Sequence, residues 1–84
     1  MKTIAVSVTQ QDIDHGIAEE CRDCPVALAM SRATGDHWKV FGSCAVRIRD
    51  ELNINLPPEC NRFVRRFDNA EKVSPVSFTI EVPE

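Results

Sequence analysis

This sequence has few glycines and no long apolar run. Its three glycines do not form a glycine-rich loop that could hold a phosphate group. No stretch approaches the roughly 20 apolar residues that span a bilayer, and the alternating N-terminal residues lack the apolar core of a signal peptide. We therefore expect a cytoplasmic protein without membrane association.

An excess of positive charge is also missing, and so is an evident catalytic arrangement. The net charge is −3 at pH 7, so the overall field does not attract DNA, RNA or an anionic membrane. No serine or cysteine has an evident base as partner, and His15 and His37 are predicted at opposite ends of the domain. We expect neither an enzyme nor a nucleic-acid-binding protein.

The length of 84 residues predicts a single domain covering residues 1–84. A chain of this size buries only about 60–65% of its unfolded surface, so a metal ion or a partner could contribute to its stability. The sequence shows no internal repeat, linker or low-complexity segment.

Residues 21–35 have the clearest helical pattern in the chain. Asp23 is a candidate N-cap, Pro25 suits the first turn, and Gly35 can end the helix in a left-handed conformation. The apolar positions recur with helical spacing and predict a buried side formed by Val26, Leu28, Ala29, Met30 and Ala33.

The chain before this helix predicts a strand and a short helical turn. Residues 3–8 alternate in polarity, which is typical of a half-buried strand. Thr9 followed by Asp12 is a capping signal, and Gly16 can end the turn.

The chain after the helix predicts three strands and a second helix. In residues 38–49 the same alternation of side chains between two faces is kept throughout, which predicts a long strand, bent or interrupted at Gly42 and Ser43. A short strand is predicted at residues 54–56 and a longer one at residues 76–82. Residues 57–68 predict an amphipathic helix whose apolar side consists of Cys60, Phe63, Val64 and Phe67.

This order of elements predicts an α+β fold. A β-α-β-β-α-β chain with right-handed crossovers places two helices on one face of an antiparallel sheet, which is the ferredoxin-like arrangement. Here a short extra helical turn follows the first strand. If Gly42 and Ser43 form a hairpin, the middle of the chain becomes a three-strand meander and the fold is a different α+β sandwich.

Three cysteines and one histidine are predicted at the same end of this fold. The helix from Cys24 descends about 16 Å, and the following strand climbs about 20 Å to Cys44. His15 lies in the loop at that end. Thiolate sulfur and neutral imidazole are ligands that zinc prefers. The sequence therefore offers Cys21, Cys24, Cys44 and His15 as a candidate zinc site.

Other interpretations of the cysteines stay open. In a reducing cytoplasm they can be partly buried free thiols, which we expect of Cys60. A helix N-terminus favours the thiolate, so Cys21 or Cys24 could be redox-active. The C-x-x-C after the first strand also resembles that of heavy-metal-associated domains, which implies a soft-metal carrier for copper or zinc. This chain has Ala18-Glu19-Glu20-Cys21 where that family has Gly-Met-x-Cys, and the two acidic residues do not suit a soft cuprous ion.

Exposed arginines and one aromatic residue are the candidates for partner binding. The second helix carries three arginines on its outward side. The open sheet face has a single aromatic residue, so it lacks the stacking side chains of an RNA-binding sheet. That face could receive a protein partner or a second copy of the chain. The candidate residues are Phe41, Arg47, Arg49, Arg62, Arg65 and Arg66.

Three segments together resemble a group of small uncharacterised proteins from phage and bacterial genomes. They are VTQQDIDHG at 8–16, CRDCPVALA at 21–29, and RFVRRFDNA at 62–70 with VSPVSFTI at 73–80. The resemblance brings no assigned activity, but it implies a phage-type accessory protein that binds and modulates a host protein. We therefore expect a non-enzymatic binding protein with a zinc or thiol site, and a soft-metal carrier is the alternative.

Overall fold

A computed structural model describes residues 1–83, which form five strands and three helices. In chain order these are β1 (Lys2–Val8), α1 (Gln10–His15), α2 (Pro25–Thr34), β2 (Trp38–Val40), β3 (Cys44–Arg47), β4 (Leu52–Asn55), α3 (Pro58–Asp68) and β5 (Val76–Val82). β1 pairs with β5 in one antiparallel sheet, and β2, β3 and β4 form an antiparallel meander in a second. The predicted α+β class is confirmed.

The single sheet of ferredoxin-like order is not confirmed, because the strand predicted at residues 38–49 is two strands joined by a hairpin. Gly42 has a φ of 86°, a left-handed conformation that glycine adopts readily. The N–H of Phe41 donates to the carbonyl of Cys44 at 2.8 Å and closes the turn. The chain therefore reverses at Gly42 and forms the three-strand meander.

The hairpin changes which side chains after residue 43 face the core. Directly opposite residues on paired strands point to the same face of a sheet, so Ala45 is buried with its partner Val40. One uninterrupted strand would have placed Ala45 outward and Cys44 inward. In the structure Cys44 is only half-buried.

The predicted capping of α1 is confirmed. The Asp12 N–H donates to the Thr9 Oγ1 at 3.2 Å, and the Thr9 N–H donates to the Asp12 Oδ2 at 2.9 Å. Gly16 ends the helix, and a Cβ there would lie 2.6 Å from ring carbons of Pro25. A side chain at this position would push α1 away from the start of α2.

The N-cap of α2 is Cys24, so the prediction of Asp23 is wrong. Proline suits the first helical position, where its missing N–H costs nothing, and Pro25 takes that position here. The residue before it must then be the cap, and the Cys24 Sγ accepts the Ala27 N–H at 3.4 Å. Gly35 ends the helix with a φ of 78°, as predicted.

One hydrophobic cluster joins residues from both sheets with α2 and α3. Its largest fully buried side chains include Val6, Val26, Met30, Trp38 and Ile80. On α2, Ala27 is buried and Ala33 is exposed, so the buried side differs slightly from the predicted one.

Within residues 1–83, no helix combines the length and the apolar character needed to cross a membrane.

Candidate functional site

Helix α3 separates apolar side chains from cations. Its buried residues recur at i, i+3 and i+4, and they are Cys60, Phe63 and Val64. The arginines lie between these positions on the helix, and Arg62, Arg65 and Arg66 are all exposed. The outward side predicted for these three arginines is thus confirmed.

These three arginines also lack ion-pair partners within residues 1–83, unlike three other arginines of the chain. A guanidinium without a carboxylate neighbour keeps its planar set of N–H donors available for a ligand. The guanidinium groups that are already paired belong to Arg32 with Asp12 at 2.7 Å, Arg47 with Asp50 at 2.6 Å and Arg49 with Asp36 at 3.1 Å.

Arg47 and Arg49 were candidates for partner binding, and the structure places both in internal contacts. The Arg47 side chain is only 14% exposed, and its guanidinium lies 5.9 Å from the centre of the Trp38 ring. Its hydrogen bond with Asp50 lowers the pKa of that carboxyl to about 2. Arg47 is thus held against the meander, whereas the Arg49 side chain, paired with Asp36, is 63% exposed.

A groove of about 340 Å³ separates α3 from residues 72–76. Arg62, Phe63 and Arg66 line the helix side of this α3 groove, and Lys72 and Val73 belong to the opposite side. A smaller depression of about 220 Å³ shares Arg62 and Arg66 with this groove and adds Arg65 and one acidic residue, Glu71. The two together form a continuous basic surface.

The charge and the lining of the α3 groove suit an anionic segment with apolar side chains. Glu59 is its one acidic lining residue, against three cations. Arginine binds carboxylates through two parallel hydrogen bonds, while Val73, Pro75 and Val76 offer apolar surface. Each exposed ion pair contributes little alone, so affinity for such a segment would also require burial of apolar surface.

A second cavity, of about 410 Å³, is lined by both cysteines of the C-x-x-C pair. Cys21 is half-buried and Cys24 is buried. Burial raises the pKa of the Cys24 thiol, so this thiol stays protonated near neutral pH. We call this space the thiol cavity; its other lining residues are Glu19, Glu20, Val40, Phe41, Val64 and Asp68.

Hydrogen bonds from two neighbouring elements hold the walls of the thiol cavity. The Val40 N–H donates to the Cys21 carbonyl at 2.8 Å, and the Glu19 N–H donates to the Asp68 Oδ1 at 2.9 Å. Phe41, predicted to be exposed, is 55% exposed at its rim. The loop before α2 is thereby tied to β2 and to the end of α3.

Two of the four predicted zinc ligands line one cavity, and the other two lie on different elements. Cys21 and Cys24 line the thiol cavity, whereas Cys44 lies on β3 opposite Asn55 and His15 is the exposed last residue of α1. Within residues 1–83, no three His, Cys, Asp or Glu side chains lie together as a group that could hold a metal ion. Zinc at these residues stays a prediction.

One wall of the α3 groove was missing from the sequence prediction. Lys72 and the segment that follows it form one wall of the α3 groove, although the alternating pattern of the last strand begins only at Val76. Pro75, just before that pattern, was the available signal for an irregular segment.

A scan against models of protein families and searches of curated proteins and of solved structures find no match to this chain.

Proposed function

We propose that this chain is a small non-enzymatic binding protein that holds an acidic segment of a protein partner in the α3 groove. One observation carries the proposal: Arg62, Arg65 and Arg66 are exposed and have no ion-pair partner within residues 1–83. The whole chain has a net charge of −3. A local cluster of unpaired cations on such a chain favours a partner whose negative charge is also local.

A protein segment fits this surface better than a nucleic acid does. A polyanion would be repelled by the net charge of the chain at long range, and the α3 groove carries no exposed aromatic side chain for base stacking. A peptide can instead combine carboxylates for Arg62 and Arg66 with apolar side chains for Val73 and Pro75. The 11 residues of α3 span about 16 Å, the length of about five extended residues.

The proposal also covers the kind of partner and the compartment in which the chain binds it. The resemblance of three segments to small proteins from phage and bacterial genomes adds the expectation that the partner is a host protein and that the chain modulates it in the cytoplasm. A role as a phage-type accessory protein would agree with binding through one small surface.

The test is selection of peptides on the purified protein, followed by calorimetric titration of the selected peptides. We expect sequences rich in Asp and Glu, and we expect the double variant Arg62→Glu/Arg66→Glu to bind them at least about tenfold more weakly. The matched control is Lys2→Glu/Arg22→Glu, which reverses two cations outside the α3 groove. Equal losses in both double variants, or selected peptides without acidic residues, would contradict the proposal.

A second candidate is carriage of a soft metal ion, copper or zinc, by Cys21 and Cys24. The observation that favours it is that both thiols line one cavity and that Cys21 is only half-buried. Native mass spectrometry with Cu(I) and with Zn²⁺ tests it. If Cys21→Ser loses the ion and Cys44→Ser keeps it, the protein is a two-thiol carrier. If both variants lose the ion, the larger predicted zinc site is present. An apo protein under both conditions rejects metal binding.

A further inference from the structure

The wall of the α3 groove opposite the helix has free backbone groups. Within residues 1–83, the N–H of Glu71 donates to the Arg66 carbonyl at 2.9 Å, but the backbone of residues 72–75 makes no hydrogen bond. Lys72, Ser74 and Pro75 are exposed and Val73 is half-buried. The N–H groups of Val73 and Ser74 and the nearby carbonyls are therefore open to a ligand.

The local sequence favours an extended conformation for this wall. A residue that precedes proline is disfavoured in the helical region and adopts β or polyproline geometry, which applies to Ser74 before Pro75. β5 begins directly afterwards at Val76. Residues 72–75 thus lead into a strand, with exposed backbone of the kind to which another strand can add.

We infer that the acidic partner segment binds as an extended strand along residues 72–75, with backbone hydrogen bonds to the one of Val73 and Ser74 whose N–H faces the α3 groove, because consecutive residues of a strand present these groups to opposite edges. This inference rests on the proposed function, because it takes the α3 groove as the partner site. Side chains of a strand alternate between two faces. Every second residue of the partner therefore reaches Arg62 and Arg66, and the residues between them face away from α3.

A helical partner would not use the same features. All interior backbone groups of a helix bond to each other, so a helix would leave the backbone of Val73 and Ser74 without partners. A strand lies about 4.8 Å from its neighbour and can satisfy those groups while it stays beside α3. The partner motif we expect is an alternating one, with Asp or Glu at every second position.

The experiment compares two forms of one peptide in which Glu alternates with Val. The second form carries N-methyl groups on the residues whose N–H groups face the protein, so it keeps the charge and loses the donors. We expect the methylated peptide to bind about tenfold more weakly. We also expect the unmethylated peptide to slow hydrogen exchange at one of the amides of Val73 and Ser74 and not at both, while the Glu71 amide, already bonded, serves as the internal control.

The outcomes separate this inference from the proposed function. Charge-dependent binding without an effect of methylation, or with neither the Val73 nor the Ser74 amide protected, overturns the strand geometry and leaves the proposed function standing. Absence of binding by any acidic peptide overturns both. A dimer of the free protein that dissociates in Arg62→Glu/Arg66→Glu would show that a second copy fills the α3 groove, and it too would overturn the inference.

Discussion

Arg32 on α2 holds the carboxylate of Asp12 on α1 through two hydrogen bonds, 2.8 Å from Nη1 to Oδ1 and 2.7 Å from Nη2 to Oδ2. Asp12 is 5% exposed and also accepts the N–H of Thr9. The Nη2 of Arg32 donates as well to the carbonyl of Ser7 at 2.9 Å. One side chain thus connects the end of β1 with α1 and α2.

Arg32→Met should destabilise the protein by about 1–3 kcal/mol, because it leaves a buried carboxylate with fewer partners. Urea unfolding followed by circular dichroism measures the change. Arg22→Met is the matched control, since Arg22 is exposed and makes no ion pair within residues 1–83. Equal stability of the two variants would show that the contact contributes nothing.

The same contact predicts a pH dependence of stability. The hydrogen bond from Arg32 lowers the pKa of Asp12 in the folded state. The stability that this contact adds is therefore fully present above the pKa of Asp12 in the unfolded chain, about 3.9. It is lost as the pH falls through the lower pKa of Asp12 in the folded protein. We expect Asp12→Asn to lose less stability than the wild type between neutral and acid pH. Asp14→Asn changes an exposed residue and should keep the wild-type dependence of the free energy of unfolding on pH.

Gly42→Ala should destabilise the hairpin by about 1–3 kcal/mol through backbone strain and a close contact. The φ of 86° disfavours any side chain, and a Cβ would lie 2.8 Å from the Oδ1 of Asn61. Gly35→Ala is the control: its φ is 78° but no atom lies within 4 Å of the added Cβ, so only the strain remains. Thermal unfolding should show the larger loss for Gly42→Ala, and adding Asn61→Ala should recover part of it.

Thr34→Val should lower the free energy of unfolding by about 1–3 kcal/mol, because it removes the acceptor of a buried donor. The Nε1 of Trp38 donates to the Oγ1 of Thr34 at 2.8 Å, and Trp38 is 1% exposed. Trp38 is the single tryptophan, so its fluorescence reports the unfolding directly. Thr34→Ser keeps the hydroxyl and should stay near the wild type; a matching loss in this variant would assign the effect to packing.

The four thiols should differ in their rates of alkylation in the folded protein. Cys21 and Cys44 are half-buried, whereas Cys24 and Cys60 are buried. Burial raises the pKa of Cys60 to about 12, and the thiolate is the reactive form. Mass spectrometry of peptides after brief labelling should find Cys21 and Cys44 modified first and all four thiols modified in urea. Early labelling of Cys60 would contradict the packing of α3.

The spacing of apolar residues in the sequence correctly predicted the strands and the helix that bury one face and expose the other. The alternation of β1 and β5 and the apolar spacing of α3 all match the observed burial. The prediction of one long second strand was wrong because the alternation of the sequence continues past Gly42, whereas the chain reverses there and buries Ala45 instead of Cys44. Gly42 marked the position, but the local sequence does not decide whether a glycine gives a bend or a full turn.

The site was predictable where one helix determines it and unpredictable where distant residues meet. The outward side of Arg62, Arg65 and Arg66 followed from helical spacing alone. The pairing of Arg47 with Asp50 and of Arg49 with Asp36 depends on the turns that flank β3. The position of Cys44 has the same origin, since the hairpin altered the face on which this residue lies.

The pairing of β1 with β5 has a consequence for the order in which the chain can fold. Ser7 and Ser77 are partners separated by 70 positions, whereas β2, β3 and β4 pair with sequence neighbours. Closing the longer loop costs more chain entropy, and such non-local pairings slow folding. During synthesis, β1 leaves the ribosome early but finds its partner only when the last strand has been made. Until then its free edge is exposed to other chains, and this is the stage at which we expect misassembly.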